Sequence, residues 1–131
     1  MTMIVRGMLL LWAAAFGLLG LRGLIDPAVF TAQFGLIGDI ARDPGAANTL
    51  RADFAAFFLV AAGGAVVGAL RRGWARALWV PAALFGTACL CRALGIALGD
   101  TLSASVQTAM IAEALTAVLM IGAARLLSRS R

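Results

Sequence analysis

Four stretches of the chain are apolar almost without interruption, separated by two tight polar connections and one long one. They run from about 7 to 25, 50 to 70, 74 to 98 and 102 to 127. A helix rising 1.5 Å per residue needs roughly 20 apolar residues to cross a hydrocarbon core of about 30 Å, and each stretch is long enough. No alternating pattern calls for a strand. The connections at 71–73 and 99–101 are short enough to force antiparallel neighbours. The pattern therefore predicts an all-α fold: an integral membrane four-helix antiparallel bundle, built as a single transmembrane domain over 1–131. The first stretch follows Arg6 in the manner of a signal peptide, but the small residues Ala13, Ala14 and Ala15 lie inside the run rather than at its end. It is expected to stay as a span.

The long connection covers residues 26–49. Asp26-Pro27 is a good helix start, a capping carboxylate followed by proline at the first helical position. Phe30, Phe34, Ile37 and Ala41 follow at helical spacing, which predicts a short amphipathic helix at the membrane surface, interrupted by Gly35 and Gly38. Asp43-Pro44-Gly45 reads as a turn, and Asn48 or Thr49 as the cap of the second span. The helix either covers exposed apolar surface or acts as a lid.

Composition agrees with the pattern: 63% of the residues are hydrophobic and 13% charged, far from a soluble domain and farther from a disordered chain. The net charge of +5 does not point to nucleic acid, because the charges are scattered between apolar runs rather than gathered on a solvated face. Their placement carries topology instead. Arg6, Arg71, Arg72, Arg76, Arg125, Arg129 and Arg131 all fall on one side of the bundle, with no acid among them. The positive-inside rule then puts both termini in the cytoplasm and the 26–49 connection outside.

The remaining charges are harder to place. An ionised side chain inside hydrocarbon costs several kcal/mol, so it needs a partner, a water-filled space or a task. Arg22, Arg51, Asp53, Arg92 and Glu113 all lie in the outer half of the spans or at their centre. Glu113 is about 16 Å into the fourth span at helical rise. Ser103, Gln107, Met110 and Glu113 recur at helical spacing along one face, and Asp53, Phe57, Ala61, Gly64 and Gly68 form another stripe. Gly64 and Gly68 make a GxxxG element suited to close helix packing.

Two readings stay open. In the first the charges are structural: Arg92 pairs with Glu113 across the third and fourth spans, Arg22 pairs with Asp26, Asp53 sits in the favourable first turn of its helix, and Arg51 snorkels. In the second they form a polar pocket open to the outer side, floored by Glu113 and walled by Arg92, Gln107 and Arg51. Three arginines against two acids would leave that pocket at +1, suited to an anionic headgroup or a small carboxylate.

Much chemistry is absent. There is no histidine and no tyrosine. Cys89 and Cys91 are separated by one residue on a helix, so they face apart and read as small buried hydrophobes. No metal site and no cofactor are expected, and nothing supports a nucleophilic enzyme.

With these residues in place, the chain resembles a bacterial family of small four-span membrane proteins described only as domain of unknown function 4345. The likeness lies in the long outer connection, Leu50-Arg51-Ala52-Asp53-Phe54 at the second span, Arg92 late in the third and Glu113 inside the fourth. There is a looser similarity to DoxX-like proteins. The resemblance implies a bacterial inner-membrane location and no particular activity. Small multidrug exporters and fluoride channels share the size, but they insert in both orientations, which the arginine bias opposes. The expectation is a non-catalytic inner-membrane protein that binds a lipid, quinone or small anion, or that acts as an accessory subunit or homo-oligomer. The alternative is a small proton-coupled transporter using Glu113 as its coupling carboxylate.

Overall fold

A computed structural model describes residues 2–34, 44–71 and 73–129 of the chain. They form helices α1 (Thr2–Ile25), α2 (Ala28–Phe34), α3 (Pro44–Leu50), α4 (Ala56–Leu70), α5 (Trp79–Ala97) and α6 (Ala104–Arg129), with no strand among the described residues. A π-helical turn, Arg51–Ala55, joins α3 to α4 without a break, and a 3₁₀ turn, Ala75–Leu78, leads into α5. Four continuous helices of 23 to 26 residues are long and apolar enough to cross a membrane: Thr2–Ile25, Gly45–Leu70, Ala75–Ala97 and Ala104–Arg129. The protein is an all-α four-helix membrane bundle.

Local chemistry accounts for the helix ends. Asp26 Oδ1 accepts the Ala28 N–H at 3.0 Å, so the carboxylate caps α2 as the sequence implies. α5 stops in a Schellman arrangement: the Asp100 N–H reaches the Gly95 carbonyl at 3.0 Å and the Gly99 N–H reaches that of Ile96 at 3.1 Å. That ending needs a left-handed residue, which Gly99 supplies at φ +111°. Ser103 Oγ then accepts the Val106 N–H at 3.3 Å and opens α6.

The second span differs from its sequence reading. It starts at Pro44, not near residue 50, and Pro44 serves as a first helical residue rather than the centre of a turn. Thr49 is not a cap: its hydroxyl donates to the Gly45 carbonyl, one turn back in a helix already formed. The amphipathic segment is seen in part. Phe30 is fully buried, as an inward-facing position should be, while Gly35, Ile37, Gly38, Ala41 and Asp43 lie outside the described residues.

The spans pack as two antiparallel pairs, α1 on α4 and α5 on α6, joined mainly where α4 meets α5 and the 3₁₀ turn. Glycines permit the close approaches. A Cβ on Gly20 would lie 3.2 Å from the Ala55 carbonyl oxygen, and one on Gly64 would lie 3.1 Å from that of Ala77. The Gly64–Gly68 element is thus a packing seam against the start of α5. At one end of the bundle Leu9, Ala65, Ala69, Leu78 and Met120 form a tightly buried core. Arg6 donates to the Ala69 carbonyl there, and the second half of α6 packs on the 3₁₀ turn. Arg6, Arg71, Arg76, Arg125 and Arg129 therefore share this end. At the other end the core is aromatic, built on Phe30, Phe58 and Phe85.

Candidate functional site

Between the two helix pairs, in the half of the bundle away from the arginine-rich end, lies a cavity of about 430 Å³. This is within the ~300–1,000 Å³ range of small-molecule sites. α1 contributes Phe16 and Leu19, the π-helical turn and α4 contribute Asp53, Phe54, Phe57 and Phe58, and α5 contributes Phe85, Ala88 and Arg92. Ala109, Ala112 and Glu113 of α6 complete the wall. Five phenyl rings form most of it. They interlock: Phe57 meets Phe58 edge-on at 5.2 Å between centroids, Phe16 meets Phe85 edge-on at 5.3 Å, and Phe30 stacks on Phe58 from outside the cavity at 6.0 Å. Such offset and edge-on contacts are the preferred geometries of aromatic pairs.

The polar part of the wall is small. Arg92 Nε donates to both oxygens of Glu113, at 2.9 and 3.1 Å. The Glu113 side chain is 11% exposed and that of Arg92 is 32% exposed. Glu113 lies nine residues past the start of α6, about 14 Å along its axis. An unpaired carboxylate at that depth would be very costly, and the α5 guanidinium removes much of the cost. Pairing through Nε alone leaves the two terminal nitrogens of Arg92 without a partner among the described residues. Arg92 also borders a second hollow on the α6 side, lined by Ser105 and Thr108.

Asp53 lines the same cavity from the opposite helix pair, and among the described residues neither a hydrogen bond nor an ion pair reaches its carboxylate. It stands in the π-helical turn, where one residue is in effect inserted into the helix. Such bulges are frequent at functional sites.

The other expected site residues lie elsewhere. Arg51 is two positions from Asp53, on a different side of the helix, and its Nε donates to the Leu24 carbonyl at 3.0 Å, tying the second span to the end of α1. Arg22 is exposed, and no ion pair joins it to Asp26. Gln107 is exposed and does not line the cavity. The helical repeat explains this. At about 100° per residue, six positions separate Gln107 from Glu113 by about 120° around the axis, so the two do not share a face. Where sequence arithmetic set three arginines against two acids, the cavity lining holds one arginine and two acids. Its formal charge is −1, not +1.

Sequence reasoning did not single out the aromatic wall. Its five rings come from three different spans, and of them only Phe54 and Phe57 entered the sequence reading, as neighbours of Asp53 on the second span. The cysteines form no disulfide: Cys89 makes a weak 3.6 Å contact with the Met110 carbonyl and Cys91 is exposed. No group of three or more potential metal ligands occurs among the described residues. No protein-family model matches the chain, and no curated protein or solved structure matches it either.

Proposed function

We propose that this four-span membrane protein is a non-catalytic binding protein of the bacterial inner membrane, with both termini in the cytoplasm. Its ligand is a small amphipathic molecule held in the outer half of the bundle. The observation that carries this reading is the cavity itself. Its five phenyl rings suit an apolar body, while Arg92, Glu113 and Asp53 offer a few convergent polar groups to fix orientation. Small side chains at Ala88, Ala109 and Ala112 keep the space open where α5 and α6 face it. The wall lacks an arrangement of nucleophile, base and positioning group, which favours binding over catalysis.

A carrier with Glu113 as coupling carboxylate would need a polar route onward to the cytoplasmic side. There the buried side chains among the described residues are apolar apart from Thr116, so the binding reading is favoured. Native mass spectrometry of the detergent-purified protein tests it. The wild type should carry, or take up from a panel of amphiphiles, one small molecule per chain, and Ala88→Phe should lose it by filling the cavity. A wild type that takes up nothing, or an Ala88→Phe variant that binds equally well, overturns the reading.

A further inference from the structure

The charge of the cavity is unbalanced, and the imbalance rests with Asp53. Arg92 and Glu113 neutralise each other across α5 and α6. Asp53 faces the same space from the other helix pair with no compensating group, because the nearest arginine in sequence, Arg51, is directed to the Leu24 carbonyl. Asp53 is solvent-accessible at the edge of this cavity, whose lining is otherwise largely phenyl rings, among them Phe54, Phe57 and Phe85. The face of a phenyl ring is the negative part of its quadrupole and attracts cations, most strongly where water is excluded.

An uncompensated carboxylate and a lining of phenyl rings both favour positive charge, and the apolar remainder of the wall favours an apolar body. We infer that the ligand class of this cavity is a lipophilic organic monocation, an ammonium or phosphonium centre carrying apolar groups, with its charge directed to Asp53 and its body among the phenyl rings. This rests on the proposal that the cavity is a ligand site and specifies what enters it. An anion of the same shape would be repelled by Asp53, and the one arginine in the wall is already neutralised by Glu113.

Trp12 provides a reporter, since its ring stacks on Phe16 at 4.4 Å and meets Phe85 edge-on at 5.4 Å, and both residues line the cavity. The other two tryptophans, Trp74 and Trp79, are exposed and far along the chain, so a W74F/W79F variant of the full protein leaves Trp12 as the single fluorophore. In nonionic micelles this protein is titrated with tetraphenylphosphonium, with tetraphenylborate as its anionic counterpart of nearly the same shape, and with neutral triphenylmethanol. Binding is scored as the saturable signal that Ala88→Phe abolishes.

Tetraphenylphosphonium should bind at least about tenfold more tightly than tetraphenylborate, as expected for a cation rather than an anion in a wall of one unpaired carboxylate and phenyl rings. Asp53→Asn should remove that preference while leaving the neutral probe unaffected, and Asp53→Glu should retain it. Borate binding as tight as phosphonium, or phosphonium binding unchanged in Asp53→Asn, overturns the charge assignment. If the neutral probe still binds in either case, the cavity remains a ligand site. If none of the three probes binds saturably, both readings fall.

Discussion

Arg92 holds both carboxylate oxygens of Glu113 with a single nitrogen, Nε, at 2.9 and 3.1 Å. The pair joins α5 to α6, with Glu113 nearly buried and Arg92 about one-third exposed. It also forms part of the cavity wall, so packing and site share the same atoms. A pair held through Nε alone is less constrained than a two-nitrogen fork, and it leaves the terminal nitrogens of Arg92 available.

Removing one partner should cost more than removing both. Glu113→Gln or Arg92→Met strands a charge or a polar group in a low-dielectric wall. The expected loss lies between about 1 kcal/mol, the ceiling for exposed pairs, and about 3 kcal/mol, the lower figure for buried ones. The Arg92→Met/Glu113→Gln double variant should recover part of that loss, because no unpaired charge remains. Unfolding in mixed micelles, read by helical circular dichroism, gives the three values. Single losses that simply add in the double variant would mean that the pair contributes nothing to the bundle.

Two adjacent glycines should behave oppositely. A Cβ on Gly63 meets nothing within 4 Å, whereas one on Gly64 would stand 3.0 Å from Pro81 Cδ and 3.1 Å from the Ala77 carbonyl oxygen. Backbone cannot give way as a flexible side chain can. Gly63→Ala should therefore be neutral or stabilise by up to about 1 kcal/mol through helix propensity. Gly64→Ala should destabilise by about 1–3 kcal/mol through overpacking. The same unfolding measurement separates them.

These contrasts also show what the sequence could and could not convey. The four spans follow directly from run length, and the Asp26 cap and the tight α5–α6 connection from local residue chemistry, since each depends on neighbours in the chain. The Arg92–Glu113 pairing was legible because only two strongly misplaced charges faced each other across a short hairpin. The π-helical turn at Arg51–Ala55 was not, because nothing in Arg-Ala-Asp-Phe-Ala distinguishes it from an ordinary helix start. Pro44 misled for a specific reason: proline after aspartate and before glycine suits a turn and a first helical position equally well. A pocket at Arg92 and Glu113 was within reach of the sequence, but its aromatic wall was hidden because it exists only where three spans bring their phenylalanines together, and small residues on α6 leave the space unfilled.

Topology can be tested apart from binding. In a cysteine-free background carrying Cys89→Ala and Cys91→Ala, a cysteine placed at Asp100, in the exposed α5–α6 connection, should react with a membrane-impermeant maleimide added to intact cells. A cysteine at Gly73, in the exposed connection at the arginine-rich end, should react only after the membrane is opened. The reverse pattern would overturn the orientation read from the arginines.

α2 is held to the bundle through Phe30. The Phe30 ring is fully buried and occupies the space a side chain on Gly23 would need, since a Cβ there would overlap three of its ring carbons. α2 therefore folds back onto the last turn of α1 because Gly23 has no side chain, and Phe30 also packs at a tilt on Phe54 at 5.5 Å and stacks on Phe58 at 6.0 Å, behind the cavity wall. Gly23→Ala should drive the ring out at a cost of about 1–3 kcal/mol. It should also loosen the backing of Phe54 and Phe58. Phe30→Ala should cost about 3–5 kcal/mol by leaving a void. In the double variant the added methyl has room, so the Gly23→Ala penalty should largely vanish. A cysteine at Val29, half-buried in the native fold, reports the same event: its maleimide labelling rate should rise in Gly23→Ala and stay at the wild-type rate in Gly63→Ala. If Gly23→Ala leaves both stability and labelling unchanged, Phe30 is not what fixes α2 to the bundle, and the aromatic wall stands without its support.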